Sequence, residues 1–93
     1  MKNINIIKIR KKLDKVDIKL LKIIKERSLL VDQILKLKKN KNEVIDQKRI
    51  KFILKRIRSN SKKIKVDPTI TTNIWKIMIK GFINYEYRKF KKK

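Results

Sequence analysis

Histidine and cysteine are absent from this 93-residue chain, and Asp and Glu together number eight. Those absences remove the usual parts of a Ser/His/Asp or Cys/His relay, of a zinc site and of a thiol redox centre. Glycine occurs once, at Gly81, and proline once, at Pro68, which leaves no glycine-rich phosphate loop and no punctuation for a series of hairpins. No long apolar run is present, and the opening MKNINIIKIRKK is too broken by charge for a signal peptide or a membrane span. The expectation is an all-α protein of one domain over 1–93, cytoplasmic, and small enough that oligomerisation is a common remedy for its limited core.

What is abundant is lysine. The formal charge is +22, with 24 Lys against six Arg, 18 Ile, seven Asn and no Ala. Clustered cations ordinarily point to nucleic acid, because they release counterions from phosphate backbones. AT-rich codons would supply the same profile, so we hypothesise that genome composition accounts for much of the charge; a coding sequence of near-even GC content would refute this.

Helical periodicity runs from about Asn3 to Lys39 without Gly, Pro or a turn cluster, a helix of about 50 Å at 1.5 Å per residue. The segment Asn40 to Ile45 loses the pattern and reads as a loop. Asp46 is an N-cap candidate, followed by Ile50, Ile53, Leu54, Ile57 and Ile64 at helical spacing, so a second helix is predicted over about 47–62. Asp67-Pro68 opens a third, over about 68–90, since Asp accepts orphan N–H groups and Pro fits the first helical position. Its apolar face is predicted from Ile70, Ile74, Ile77, Met78, Gly81, Phe82 and Tyr85, and it frays into a Lys-rich end.

The long helix carries Ile9, Leu13, Val16, Leu20, Ile23, Leu30 and Ile34 on one stripe, and Arg27 stands in that stripe where an aliphatic residue belongs. Lys38 is the next step. Desolvating an unpartnered charge is costly, so two cations on an apolar seam, roughly 16 Å apart along the helix, point to an anion held against it. Arg10 lies about 100° around the helix from Arg27, so one copy of the helix does not aim both at the same space. Shorter helices cannot cover the whole stripe, and a second copy would. A dimer of long helices, intertwined and closed by the shorter ones, is the economical architecture.

Each of these residues also has a plainer reading. Arg10 is a solvated arginine, Arg27 an interhelical ion-pair partner, Lys38 a cation at a helix C-terminus, Asp46 a cap and Arg49 a surface residue. Glu86 is an exposed acid among lysines. Trp75 is core rather than a stacking platform.

In order along the chain, IRKKLDKVDIKLLKIIKERSLLVDQILKLKK, VIDQKRIKFILKRIR and VDPTITTNIWKIMI resemble the all-helical, type II chorismate mutase family over nearly the whole length. The resemblance rests on Arg10 early in the long helix, Leu13-Asp14 with Val16-Asp17, Glu26-Arg27 before an apolar stretch, Lys38 eleven residues later, and Asp46 with Arg49 opening the second helix. It implies rearrangement of chorismate to prephenate, toward phenylalanine and tyrosine, by a homodimer with shared sites and with neither metal nor cofactor. A Claisen rearrangement needs no nucleophile. It needs the dianion held in its reactive conformer and the charge on the ether oxygen stabilised. By the same resemblance Arg10 of one subunit and Arg27 of the other bind carboxylates, Lys38 reaches a carboxylate and the ether oxygen, Arg49 adds charge, and Asp46 lies near the substrate hydroxyl.

Three positions depart from the family pattern. Ile50 stands where a glutamate usually receives the ring hydroxyl, Phe82 where a small polar residue is common, and Glu86 where Gln or Glu occurs. An ionised Glu86 would repel the developing oxyanion, so it helps catalysis only when protonated, and an acid-favouring rate is the expectation. These departures leave open an isochorismate pyruvate-lyase and a degenerate scaffold that kept the fold. A basic helical nucleic-acid-binding protein is the competing class, with non-specific affinity only, since aromatics are few and no helix-turn-helix spacing is evident.

Overall fold

The computed structural model describes residues 4–91. It contains helices α1 (Ile4–Leu37), α2 (Gln47–Lys63) and α3 (Pro68–Lys91), with one turn of 3-10 helix at Lys41–Glu43 and no strand among the described residues. The all-α class expected from the sequence is the class observed. Helix α1 stops at Leu37, two residues before the expected end, because the Lys38 N–H closes a tighter turn onto the Leu35 carbonyl at 3.2 Å. The expected first residue, Asn3, and the last two lysines lie outside the described residues.

By their contacts the residues form two units, Met1–Gln33 and Ile34–Lys93. In the first, the described part is helix α1 alone. Its stripe of Ile9, Leu13, Val16, Leu20, Ile23 and Leu30 is more than half exposed at every member, whereas Arg27 is half-buried.

The second unit is built around a hairpin of α2 and α3. Asp46 caps α2, its Oδ1 accepting the Arg49 N–H at 3.0 Å. The far end of α2 closes with two reverse bonds, Val66 N–H to the Ser61 carbonyl at 2.9 Å and Lys65 N–H to the Lys62 carbonyl at 3.2 Å. That pattern places Lys65 in the left-handed region, at φ 61°, a position where glycine is usual. Helix α3 starts as the Asp67-Pro68 pair predicts, with Asp67 Oδ1 accepting the Thr69 N–H at 2.8 Å.

A hydroxyl pair fixes how α3 turns against α2. Ser61, 5% exposed, donates to the Ile57 carbonyl at 2.6 Å and pairs with the Thr71 hydroxyl at 2.6 Å. With Thr71 directed at α2, the covered stripe of α3 is Thr71, Trp75, Met78, Phe82 and Tyr85, each half-buried, with Glu86 buried beside them. Ile70, Ile74, Ile77 and Gly81 are exposed. The face predicted from periodicity therefore divides: its isoleucines lie one residue, or about 100°, off the covered stripe. Ile64 is likewise exposed, because α2 ends there and the chain reverses. Only Leu35 and Val44 are buried apolar residues among those described.

The outward face of α2 carries exposed Lys48, Lys51, Lys55, Arg58 and Lys62, and the helix contains no acid. No helix among the described residues is long and apolar enough to cross a membrane.

Two substitutions test this account of the hairpin. Lys65→Gly removes a left-handed backbone cost of about 1–2 kcal/mol against a Gly entropy penalty of roughly 0.5–1 kcal/mol, so urea unfolding should show a modest net gain in stability. Ser61→Ala leaves Thr71 without its buried partner and is expected to lower stability by about 1 kcal/mol, with the thermal midpoint falling accordingly.

Candidate active site

The end of α1 delivers Lys38 to the interior of the second unit. Its ammonium donates to Glu86 Oε1 on α3 at 3.1 Å and to the Val44 carbonyl at 3.4 Å. The two side chains are 18% and 9% exposed, so this is a largely desolvated pair, held by a carboxylate from one element and a carbonyl from another. Glu86 is thus not the exposed acid of the plainer reading. Burial follows from its place on the covered stripe of α3, four residues after Phe82, with Lys38 as the counter-charge.

The connection after Lys38 is itself braced. The Glu43 carboxylate accepts from the Lys39 N–H at 3.4 Å, the Asn40 N–H at 3.3 Å and the Asn40 side-chain amide at 3.4 Å. The Lys41 ammonium sits 5.5 Å from the centroid of the Tyr87 ring. Neither Glu43 nor Val44 stands out in the sequence by chemistry. The Asn-x-x-Glu spacing of Asn40 and Glu43 is nonetheless a readable helix-start signal.

Lys38 opens on a cleft of about 540 Å³ lined by Glu43, Ile45, Asp46, Gln47 and Lys48. Asp46 therefore shares that cleft with Lys38, as well as capping α2. Arg49 donates its backbone N–H to Asp46, while its guanidinium lies 5.3 Å from the Phe52 ring, and Arg56 lies 5.5 Å from the same ring. Ile50 is half-buried on α2. Phe82 is half-buried on α3, its ring edge-on to Tyr85 at 6.1 Å and 86°. Arg10, exposed, and Arg27, half-buried, belong to the first unit. Of the residues singled out in the sequence, the structure joins Lys38 to Glu86 by direct contact and places Asp46 on the same cleft.

Chemically, the centre is a single ammonium already matched by one carboxylate. An anion arriving at Lys38 meets the Glu86 carboxylate beside the same ammonium, so it has to offset that repulsion with binding energy from other groups.

The family model for type II chorismate mutase matches residues 9–87. The chain belongs to the type II chorismate mutase family. A chorismate mutase from Methanocaldococcus jannaschii is 40% identical over 72 residues, covering 76% of this chain and 73% of that protein. No solved structure matches the chain at comparable significance. All eight positions of interest, from Arg10 to Glu86, lie inside the matched span of this chorismate mutase family model.

The ion pair makes a definite expectation for stability. Removing either charge strands the other in a poorly solvated place, so Lys38→Met and Glu86→Leu should each destabilise by about 1–3 kcal/mol, less than for a fully buried pair. The double substitution should recover much of that loss, and a double-mutant cycle in urea measures the coupling.

Proposed function

We propose that this chain catalyses the rearrangement of chorismate to prephenate in the cytoplasm, as one domain working in a homodimer whose sites draw residues from both copies. The observation that carries the activity is membership of the type II chorismate mutase family over residues 9–87. The absence of His and Cys is compatible with it, because the reaction is pericyclic. One C–O bond breaks as one C–C bond forms, within a single substrate molecule, and no group of the protein exchanges electrons with it. Catalysis then consists of conformational restraint and of positive charge aimed at the ether oxygen.

In this reading Arg10 of one subunit and Arg27 of the other hold the two carboxylates. Lys38 addresses a carboxylate and the ether oxygen, where negative charge grows in the transition state. Arg49 contributes further charge from α2, turning from the Phe52 ring, and Asp46 faces the ring hydroxyl from the cleft it shares with Lys38. Glu86, already beside the Lys38 ammonium, acts as the second donor to the ether oxygen when protonated. When ionised it neutralises the cation that the substrate requires. Ile50 and Phe82 add apolar walls and no polar contact.

Support for the dimer comes from surface. The aliphatic stripe of α1 is exposed, and so are Ile70, Ile74 and Ile77 of α3. At about 25 cal/mol per Å², covering such a surface is a strong drive to associate.

Loss of chorismate absorbance on adding the purified protein tests the activity. Arg27→Ala is expected to lower kcat/KM by about a hundredfold or more, as for removal of one group that binds transition-state charge; an unaffected rate would remove Arg27 from the site. Glu86→Gln removes the carboxylate charge beside Lys38 and keeps a hydrogen-bond donor, so it should raise kcat/KM, and a lower rate would contradict the assignment.

A further inference from the structure

We infer that Glu43 is a positioning residue for Lys38, acting through the 3-10 turn without touching substrate; this rests on the chorismate mutase reading above. The Lys38 side chain is long and flexible, yet its ammonium has a fixed address defined by Glu86 Oε1 at 3.1 Å and the Val44 carbonyl at 3.4 Å. The first partner is set by α3. The second depends on the turn that follows α1, and a single 3-10 turn of sequence Lys-Asn-Glu has little stability of its own.

Glu43 supplies what the turn lacks. The Lys39 N–H it accepts at 3.4 Å belongs to the peptide unit joining Lys38 to Lys39, so the carboxylate grips the backbone that carries Lys38. Its bonds to the Asn40 N–H and side-chain amide, at 3.3 and 3.4 Å, close the turn from the other end, beside Glu43 N–H to the Asn40 carbonyl at 3.0 Å. The next residue is Val44, 4% exposed, whose N–H bonds the Lys41 carbonyl at 3.2 Å and whose own carbonyl faces Lys38. Lys41, stacked on Tyr87, ties the same turn to α3 one residue beyond Glu86.

The charge of Glu43 is consistent with this role. A carboxylate lining the Lys38 cleft would repel a dianion, and engaging it with two backbone N–H groups turns that charge to the framework. Glu43 is also one of only three glutamates in a chain of formal charge +22, so a general surplus of surface acids does not account for it.

The experiment is a kinetic and thermodynamic cycle on the full-length protein. Glu43→Ala is expected to lower kcat/KM by about tenfold, mostly in kcat, a milder loss than the about hundredfold that a 1 Å misplacement can cause. Glu43→Gln, which keeps an acceptor, should remain within about threefold of wild type, and in a Lys38→Gln background Glu43→Ala should cost less than about twofold, because the residue it positions is gone. Equal losses in both backgrounds, or no loss in the wild-type background, would overturn the inference. A wild-type protein that leaves chorismate unchanged defeats the functional reading alone. Positioning is then read without activity, from the Lys38–Glu86 coupling energy in urea, which Glu43→Ala must reduce by at least about half if the turn sets the geometry of that pair; an unchanged coupling energy refutes it.

Discussion

The Lys38–Glu86 pair is the constraint on which the second unit turns. An ammonium and a carboxylate withdrawn from water lose hydration that only good geometry can replace, so the elements carrying them are not free to slide. The end of α1 must meet α3 at the level of Glu86, and the intervening turn must present the Val44 carbonyl within reach of the same ammonium. Leu35 and Val44, the two buried apolar residues among those described, flank Lys38 in sequence on either side of that requirement. A core this small supplies little of its own cohesion. The polar centre is therefore as much a part of the architecture as the aliphatic side chains around it.

The same pair defines what chemistry the centre offers. A lone desolvated lysine would attract any anion, whereas a lysine matched by a carboxylate answers selectively, to an anion that brings enough binding energy elsewhere or to conditions that remove the competing charge. In the family reading that energy comes from arginines of the long helix, and the lysine adds a carboxylate contact and meets the charge that grows on the ether oxygen as the C–O bond lengthens. The protein's contribution is restraint and electrostatics, with no step that uses its side chains as reactants.

Much of this was legible in the residues. Asp46 and Asp67-Pro68 announced α2 and α3 because caps act locally, through bonds to N–H groups two or three residues away. The ordered Arg, Lys and Asp positions announced the family. The rotation of α3 was not legible, because isoleucines occupy one stripe and Thr71, Trp75, Met78 and Phe82 the neighbouring one, and both look apolar at period 3.6. What chooses between them is a hydroxyl contact across ten residues, Ser61 to Thr71. Burial of Glu86 was hidden for a similar reason, since its partner lies 48 residues away. The turn at Lys65 gave no signal either, because the left-handed position that usually takes glycine holds lysine here.

Helix α2 has a further consequence that concerns the medium around the protein. Five cations line its outer face with no acid anywhere in the helix, and like charges one turn apart oppose helix formation by about 0.2–0.5 kcal/mol per pair. The Asp46 cap and packing against α3 offset part of that cost, and the surrounding solution offsets more. Dissolved anions gathered at that face weaken the repulsion, most completely between cations more than about 10 Å apart at 0.1 M ionic strength, which makes the ionic atmosphere a contributor to the cohesion of the folded hairpin that fades as salt is diluted.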